Sequence, residues 1–246
     1  MYNFFSDKPK NNCRYEITGK DHNHIANVLR MSVGDQFLVS HQGISDLCEI
    51  ESITDTSVMA VVKQENYNDT SLPIRLVLFQ GLPKSDKMEL IIQKAVELGV
   101  DQIVPVQMAR SVAKLLGDKK DNKITRWQAI AESGAKQSKR NAIPQVSQVV
   151  SFKQALEMAK DLDMLILPYE NALGMQATKN ALAQIQGGMS VGVVIGPEGG
   201  FEQSEVDLAQ SLGAITVSLG KRILRAETAA ITALSMLMLH AEMNIE

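Results

Sequence analysis

The stretch Gly196-Pro197-Glu198-Gly199-Gly200 sets one carboxylate among three glycines, directly behind an apolar, β-forming run. Glycine lacks a Cβ, so its backbone N–H and C=O groups can approach a ligand closely and adopt positive φ. Pro197 stiffens the loop, and Glu198 supplies negative charge where a cation would lie. Two further stretches combine residues that make poor core and poor generic turns. One is Leu167-Pro168-Tyr169-Glu170, and the other runs from Ser218 to Arg225. A phosphate loop would follow its glycines with lysine, and neither GxxxxGK[ST] nor GxGxxG occurs. An anion therefore fits poorly, whereas a sulfonium or an ammonium fits better. A lone glycine-rich turn is more often structural than functional; three such stretches together point to a shared site. None of the four histidines, His22, His24, His41 and His240, falls in them, and no His/Cys cluster has metal-ligand spacing. No metal is expected.

These stretches need a scaffold, and the hydrophobic pattern from residue 71 onward predicts one. Strands are predicted at 74–80, 102–108, 163–169, 190–196 and 214–219. Between and after them come predicted helices at 85–99, 122–138, 151–160, 201–213 and 226–239. Asp86 and Glu89 stand at capping-box spacing, and Gly99 offers a stop. Such alternation predicts an α/β fold with a parallel sheet covered on both faces. Ligands of such sheets bind beyond the carboxyl ends of the strands. The three chemical stretches are strand exits of that kind.

The first part of the chain has another rhythm. A helix capped by Asp21 is predicted over 21–30, then a turn at Gly34-Asp35, and then short strands around a hairpin at 41–43. The polar segment 65–73, ending in Pro73, reads as a linker. The expected domains are residues 1–70, a small β-barrel, and 71–246, the α/β unit.

Composition agrees with a soluble globular protein: 246 residues, 45% hydrophobic and 22% charged, with a core large enough to need no staples. Cys13 and Cys48 read as reduced thiols. No stretch approaches the roughly 18 apolar residues of a membrane span, and the first ten residues lack a signal-peptide core, so a cytoplasmic protein is expected. The net charge of −3 excludes a general polycation. From Arg110 to Arg140, however, nine Lys or Arg face three Asp or Glu, a local excess typical of nucleic-acid surfaces. A solvated helical face is the bland alternative.

The stretch "IGPEGGF", followed by "LGKRILRAETAAITAL", resembles the RsmE-type members of the SPOUT methyltransferase superfamily. "QKAVELGVDQIVPVQMARS", "RWQAIAESGAKQSKRNAIPQV" and "LILPYE" are similar to family blocks in the expected order. "VLRMSVGDQFLV" resembles the family's N-terminal PUA-like barrel. One departure is Ala226, where threonine is common. The resemblance implies a SPOUT-type parallel sheet whose C-terminal stretch forms a trefoil knot. It also implies S-adenosyl-L-methionine as cofactor, N3 of a uridine in 16S ribosomal RNA as target, and a homodimer acting within the small ribosomal subunit. A ribose 2′-O target, or a non-catalytic rRNA-binding assembly factor, are the alternatives.

Under the same resemblance the cofactor would be held by Leu167, Pro168, Glu170, Ile195, Gly196, Pro197, Gly199, Ser218, Leu219, Gly220, Ile223, Leu224 and Thr228. Arg225 and Glu198 are the catalytic candidates. Arg225 would stabilise charge spreading over the uracil carbonyls, because a guanidinium stays protonated and offers a planar fork of donors. A structural pairing of Arg225 with Glu227 or Glu198 is the alternative. Glu227 reads better as a helix-start acid than as a base. Arg30, Arg110, Arg126, Lys136, Lys139, Arg140 and Arg222 are the RNA-binding candidates. Trp127 reads as core before it reads as a stacking platform.

Overall fold

The structure is a computed structural model and describes residues 1–112, 118–170 and 174–245, with nothing described for the side chains of 113–119. It contains two compact units, Met1–Ser71 with Ala135–Ile143, and Leu72–Gly134 with Pro144–Glu246. The first therefore takes in a segment that a single cut near residue 70 leaves in the second. Among the described residues no helix is long and apolar enough to cross a membrane.

The first unit holds strands β1 (Asn3–Phe5), β2 (Arg14–Thr18), β3 (Gln36–His41), β4 (Ile44–Ile53) and β5 (Ser57–Gln64). They pair in the order β1-β3-β4-β5-β2, with β1 parallel to β3 and the other pairs antiparallel. Alternate strand residues point inward, and Phe4, Ile17, Phe37, Val39, Ile50 and Val58 form the core. The predicted hairpin forms: Gln42 and Gly43 both have positive φ, as a two-residue turn requires. The predicted helix differs. Helix α1 (Gly19–Asn23) starts after Thr18 and runs into a π-helical turn, His24–Val28. Asp21 is thus not a cap; its carboxylate instead accepts from Lys136 Nζ at 2.9 Å.

The second unit contains β6 (Arg75–Gly81), α2 (Lys87–Glu97), β7 (Gln102–Gln107) and α3 (Asp118–Ser138), whose residues from Ala135 belong to the first unit. Then come β8 (Gln145–Val146), β9 (Val150–Ser151), α4 (Phe152–Ala159), β10 (Met164–Pro168) and α5 (Met175–Leu182). The chain ends with β11 (Ser190–Ile195), α6 (Gln203–Ser211), β12 (Ile215–Val217) and α7 (Ala226–Asn244). The sheet order is β12-β10-β11-β6-β7-β8, with β9 also on β7, and every pair is parallel. Val77 and Phe79 of β6 share a core with Phe152 and Leu156 of α4 and Val206 of α6. The intervening Leu76 and Leu78 are equally buried, so both faces of the sheet are covered.

The predicted capping box of α2 does not form. Asp86 precedes the helix without a side-chain cap bond, and Glu89 accepts instead from Arg126 at 2.7 Å. The boxes that do form are Ser151 with Gln154 at α4 and Glu202 with Glu205 at α6. Gly99 stops α2 with φ +90°.

Candidate functional site

Strand order decides where the chemistry gathers. β10 lies between β12 and β11, so the exits of all three strands open side by side. The loops after them line a cavity of about 530 Å³, within the usual size of small-molecule sites. From the first loop come Pro168, Tyr169 and Glu170, and from the second Ile195 and residues 196–201. The third gives Ser218, Leu219, Gly220, Arg222, Ile223, Leu224 and Arg225. Lys87 and Arg110, from the chain flanking β6 and β7, and Ala226 and Ala229 of α7 complete the wall. Of the expected cofactor residues, Leu167 and Thr228 do not line it. Leu167 is fully buried in the sheet core, and Thr228 is exposed on the first turn of α7. Ile223 is 87% exposed and stands at the rim.

Each glycine of the central loop has its own steric cause. Gly200 has φ +68°, a conformation that L side chains rarely adopt. A Cβ on Gly199 would meet Arg110 Cβ at 3.0 Å, and one on Gly196 would meet Phe201 at 3.3 Å. Arg110 also donates from Nη1 to Gly199 O at 3.1 Å. A fourth glycine, unremarked in the sequence, is the tightest: a Cβ on Gly81, at the end of β6, would lie 2.7 Å from Pro197 N. Its sequence signal was a glycine closing a buried strand.

The third loop is anchored from below by α5, a helix the pattern did not predict. Thr178 Oγ1 donates to Ser218 O at 2.7 Å and accepts from Ser218 N at 3.0 Å. With Thr178 1% exposed, its hydroxyl satisfies two backbone groups that water cannot reach. Tyr169 fixes the first loop, its N–H donating to Val217 O at 3.0 Å and its hydroxyl to Gln203 Oε1 at 3.2 Å.

The charges are unequally engaged. Glu198 is not a lone negative charge, since both its oxygens accept from the Lys84 N–H, at 3.0 and 3.2 Å, and Lys87 Nζ lies 3.0 Å away. Burial pushes its carboxyl up, but its own N–H, Lys87 and Lys84 outweigh that and hold it below the ordinary value. Glu227 sits in the first turn of α7, as a helix-start acid should. Arg222 and Arg225 are exposed and make no ion pair among the described residues, so the expected alternative of an Arg225–Glu pair is not realised. Arg225 is the residue from which α7 begins.

The basic stretch separates into different environments. Lys114 and Lys119 fall outside the described side chains. Arg126 pairs with Glu89, and Lys136 with Asp21, while Lys139 and Arg30 are exposed. Arg140 corrects the expectation of a phosphate contact: it is 6% exposed, packed into the first unit, and its carbonyl accepts from Asn3. Trp127 is buried and belongs to core. Among the described residues no group of His, Cys, Asp and Glu could hold a metal.

Residues 70–238 match the model of an RNA methyltransferase domain, and residues 17–63 that of an RNA methyltransferase PUA domain. The chain is 39% identical to ribosomal RNA small subunit methyltransferase E of Bacillus subtilis, over 93% of this chain and 91% of that one. Identity to the same-named protein of Mesomycoplasma hyopneumoniae is 32%, covering 94% and 96%. A solved ribosomal RNA small subunit methyltransferase E from Neisseria gonorrhoeae, bound to S-adenosyl methionine, superposes with TM-score 0.82 at 26% identity over 97% of each chain.

The contact between Gly81 and the Pro197 backbone makes a direct prediction. Gly81→Ala should destabilise the protein by about 1–3 kcal/mol through overpacking. Urea unfolding reads this, and an unchanged midpoint would mean that the loop yields without strain.

Proposed function

We infer the reaction from one premise: the chain belongs to the family of ribosomal RNA small subunit methyltransferase E, with its RNA methyltransferase and PUA domains. It is an S-adenosyl-L-methionine-dependent methyltransferase of small-subunit ribosomal RNA. The finer reading is ours: the target is N3 of a uridine in 16S rRNA, and the C-terminal stretch is threaded as a trefoil knot. The observation that supports the target is a cavity built by three adjacent strand exits, with two arginines in its wall, Arg222 and Arg225, that are unpaired among the described residues.

The cavity suits the cofactor. Ile195, Phe201, Leu219 and Leu224 give it apolar walls, and glycine backbone gives it closely placed polar groups. Pro168, Glu170, Gly196, Pro197, Gly199, Ser218 and Gly220 would hold the cofactor together with those walls. When bound, it supplies an electrophilic methyl group. The chain's own work is positioning and charge. Uracil N3 must lose its proton, and negative charge then spreads over O2 and O4. Arg225 faces that charge with a planar fork of donors, at the N-terminus of α7, where the helix dipole acts in the same direction. Glu198 already accepts from Lys84 and is paired with Lys87, so it shapes the loop and leaves the N3 proton to water or hydroxide. Arg30, Arg110, Arg126, Lys136, Lys139 and Arg222 would contact phosphates, giving affinity without reading sequence. The target base must leave its stack to reach the cavity.

A C2 homodimer completes the reading. Helix α7 is apolar on nearly all sides and leaves Leu239 48% and Met243 71% exposed, which a second copy would cover. Light scattering should give about 54 kDa, twice the 27.0 kDa chain. A monomer at micromolar concentration would contradict this.

Arg225→Ala should leave cofactor affinity nearly intact by calorimetry, yet lower single-turnover methylation of unmodified small subunits about 100-fold. Arg225→Lys should recover only part, lacking the fork. Parental turnover by the alanine variant would make Arg225 structural. A parent chain that gives no heat with the cofactor would be an RNA-binding assembly factor instead.

A further inference from the structure

Lys87 lies where two of the cavity loops meet a third element, and no pattern in the sequence marks it. It is the first residue of α2 and lines the cavity. Its Nζ stands 3.0 Å from Glu198 Oε1 and 3.3 Å from Glu227 Oε2. One ammonium thus joins the start of α2, the loop after β11 and the first turn of α7. Glu198 carries a second tie to the same segment through the Lys84 N–H. Glu227 Oε2 is buried and accepts no hydrogen bond, so the nearby Lys87 charge offsets what water would otherwise solvate.

We propose that Lys87 is a positioning residue for the cofactor site. By pairing with Glu198 and Glu227 at once, it holds the glycine-rich loop against the N-terminus of α7 and thereby fixes Arg225, two residues before Glu227. The role rests on the methyltransferase reading of this cavity, and Lys87 itself moves no proton. The hydrogen bond to Glu198 leads the effects that raise its pKa, ahead of the opposing desolvation, so it stays an ammonium at neutral pH. Its pairing is fully present below the ordinary lysine value and is lost only as pH rises through the raised one. The lowered Glu198 carboxyl contributes above the ordinary carboxylate value, and that contribution is lost as pH falls through the depressed one. The clamp is therefore closed throughout the neutral range, and the loss of cofactor affinity on removing the Lys87 charge should be the same at about pH 6 as at about pH 9.

Removing one partner of such a cluster leaves the other charges partly buried and uncompensated. The test uses the full chain, S-adenosyl-L-methionine titrated by calorimetry, and single-turnover methylation of unmodified small subunits. Lys87→Met should weaken cofactor affinity about tenfold and slow turnover at saturating cofactor. Lys87→Arg should restore most of both, because a guanidinium still spans two carboxylates. Should Lys87→Met fail to fold, Glu198→Gln, which keeps the shape and removes the charge, should show the same affinity loss. In the double variant the second change should add little, as expected of coupled groups. Parental affinity in Lys87→Met or in Glu198→Gln would overturn the role of Lys87 alone. A parent chain that binds no cofactor would overturn the assigned reaction, and the Lys87 role with it.

Discussion

The site depends on how closely the backbone after β11 can approach the end of β6. Gly81 and Pro197 meet at a distance that no side chain tolerates, since a Cβ would lie 2.7 Å from the Pro197 nitrogen. That contact lets the central loop fold down over the carboxyl edge of the sheet. From there Gly199 packs on Arg110, and Gly200 turns with positive φ. The neighbouring exits of β10 and β12 are tied by Tyr169 and Thr178, so the cavity has walls of fixed backbone. Close backbone packing sets the shape, and charge is added afterwards.

The charges divide the labour in a way that follows from this packing. Lys87 is engaged by two carboxylates, so it serves the wall, and Arg110 does so through one donor to a carbonyl, with its other donors left for a phosphate. Arg222 and Arg225 remain free to face an incoming anion, among the described residues. A chain of net charge −3 can therefore present local positive charge where its cavity opens.

Much of this was legible in the sequence. Buried strands such as β6, β10 and β11 announce themselves as short apolar runs, and the alternation with helices gave the parallel sheet. The three chemical stretches were recognisable because glycine, proline and charge are costly behind such strands. What escaped depended on tertiary partners. The Asp86–Glu89 spacing suggested a cap, but Glu89 is drawn to Arg126, 37 residues away. Arg140 looked like part of a basic surface, yet its burial depends on residues from the other end of its unit, such as Asn3. Lys87 is an ordinary helix-start residue in sequence, and its two partners lie more than 100 positions later. The Thr178 anchor was invisible because its partner, Ser218, lies 40 positions later in the chain.

The central claim is that this cavity delivers a methyl group to the base of a uridine. Small ribosomal subunits lacking the modification, incubated with the chain and methyl-deuterated S-adenosyl-L-methionine, can be digested to nucleosides and examined by mass spectrometry. The account predicts the label in a single uridine, on the base and at N3. Label on a ribose or on another base, or none taken up at all, would contradict it.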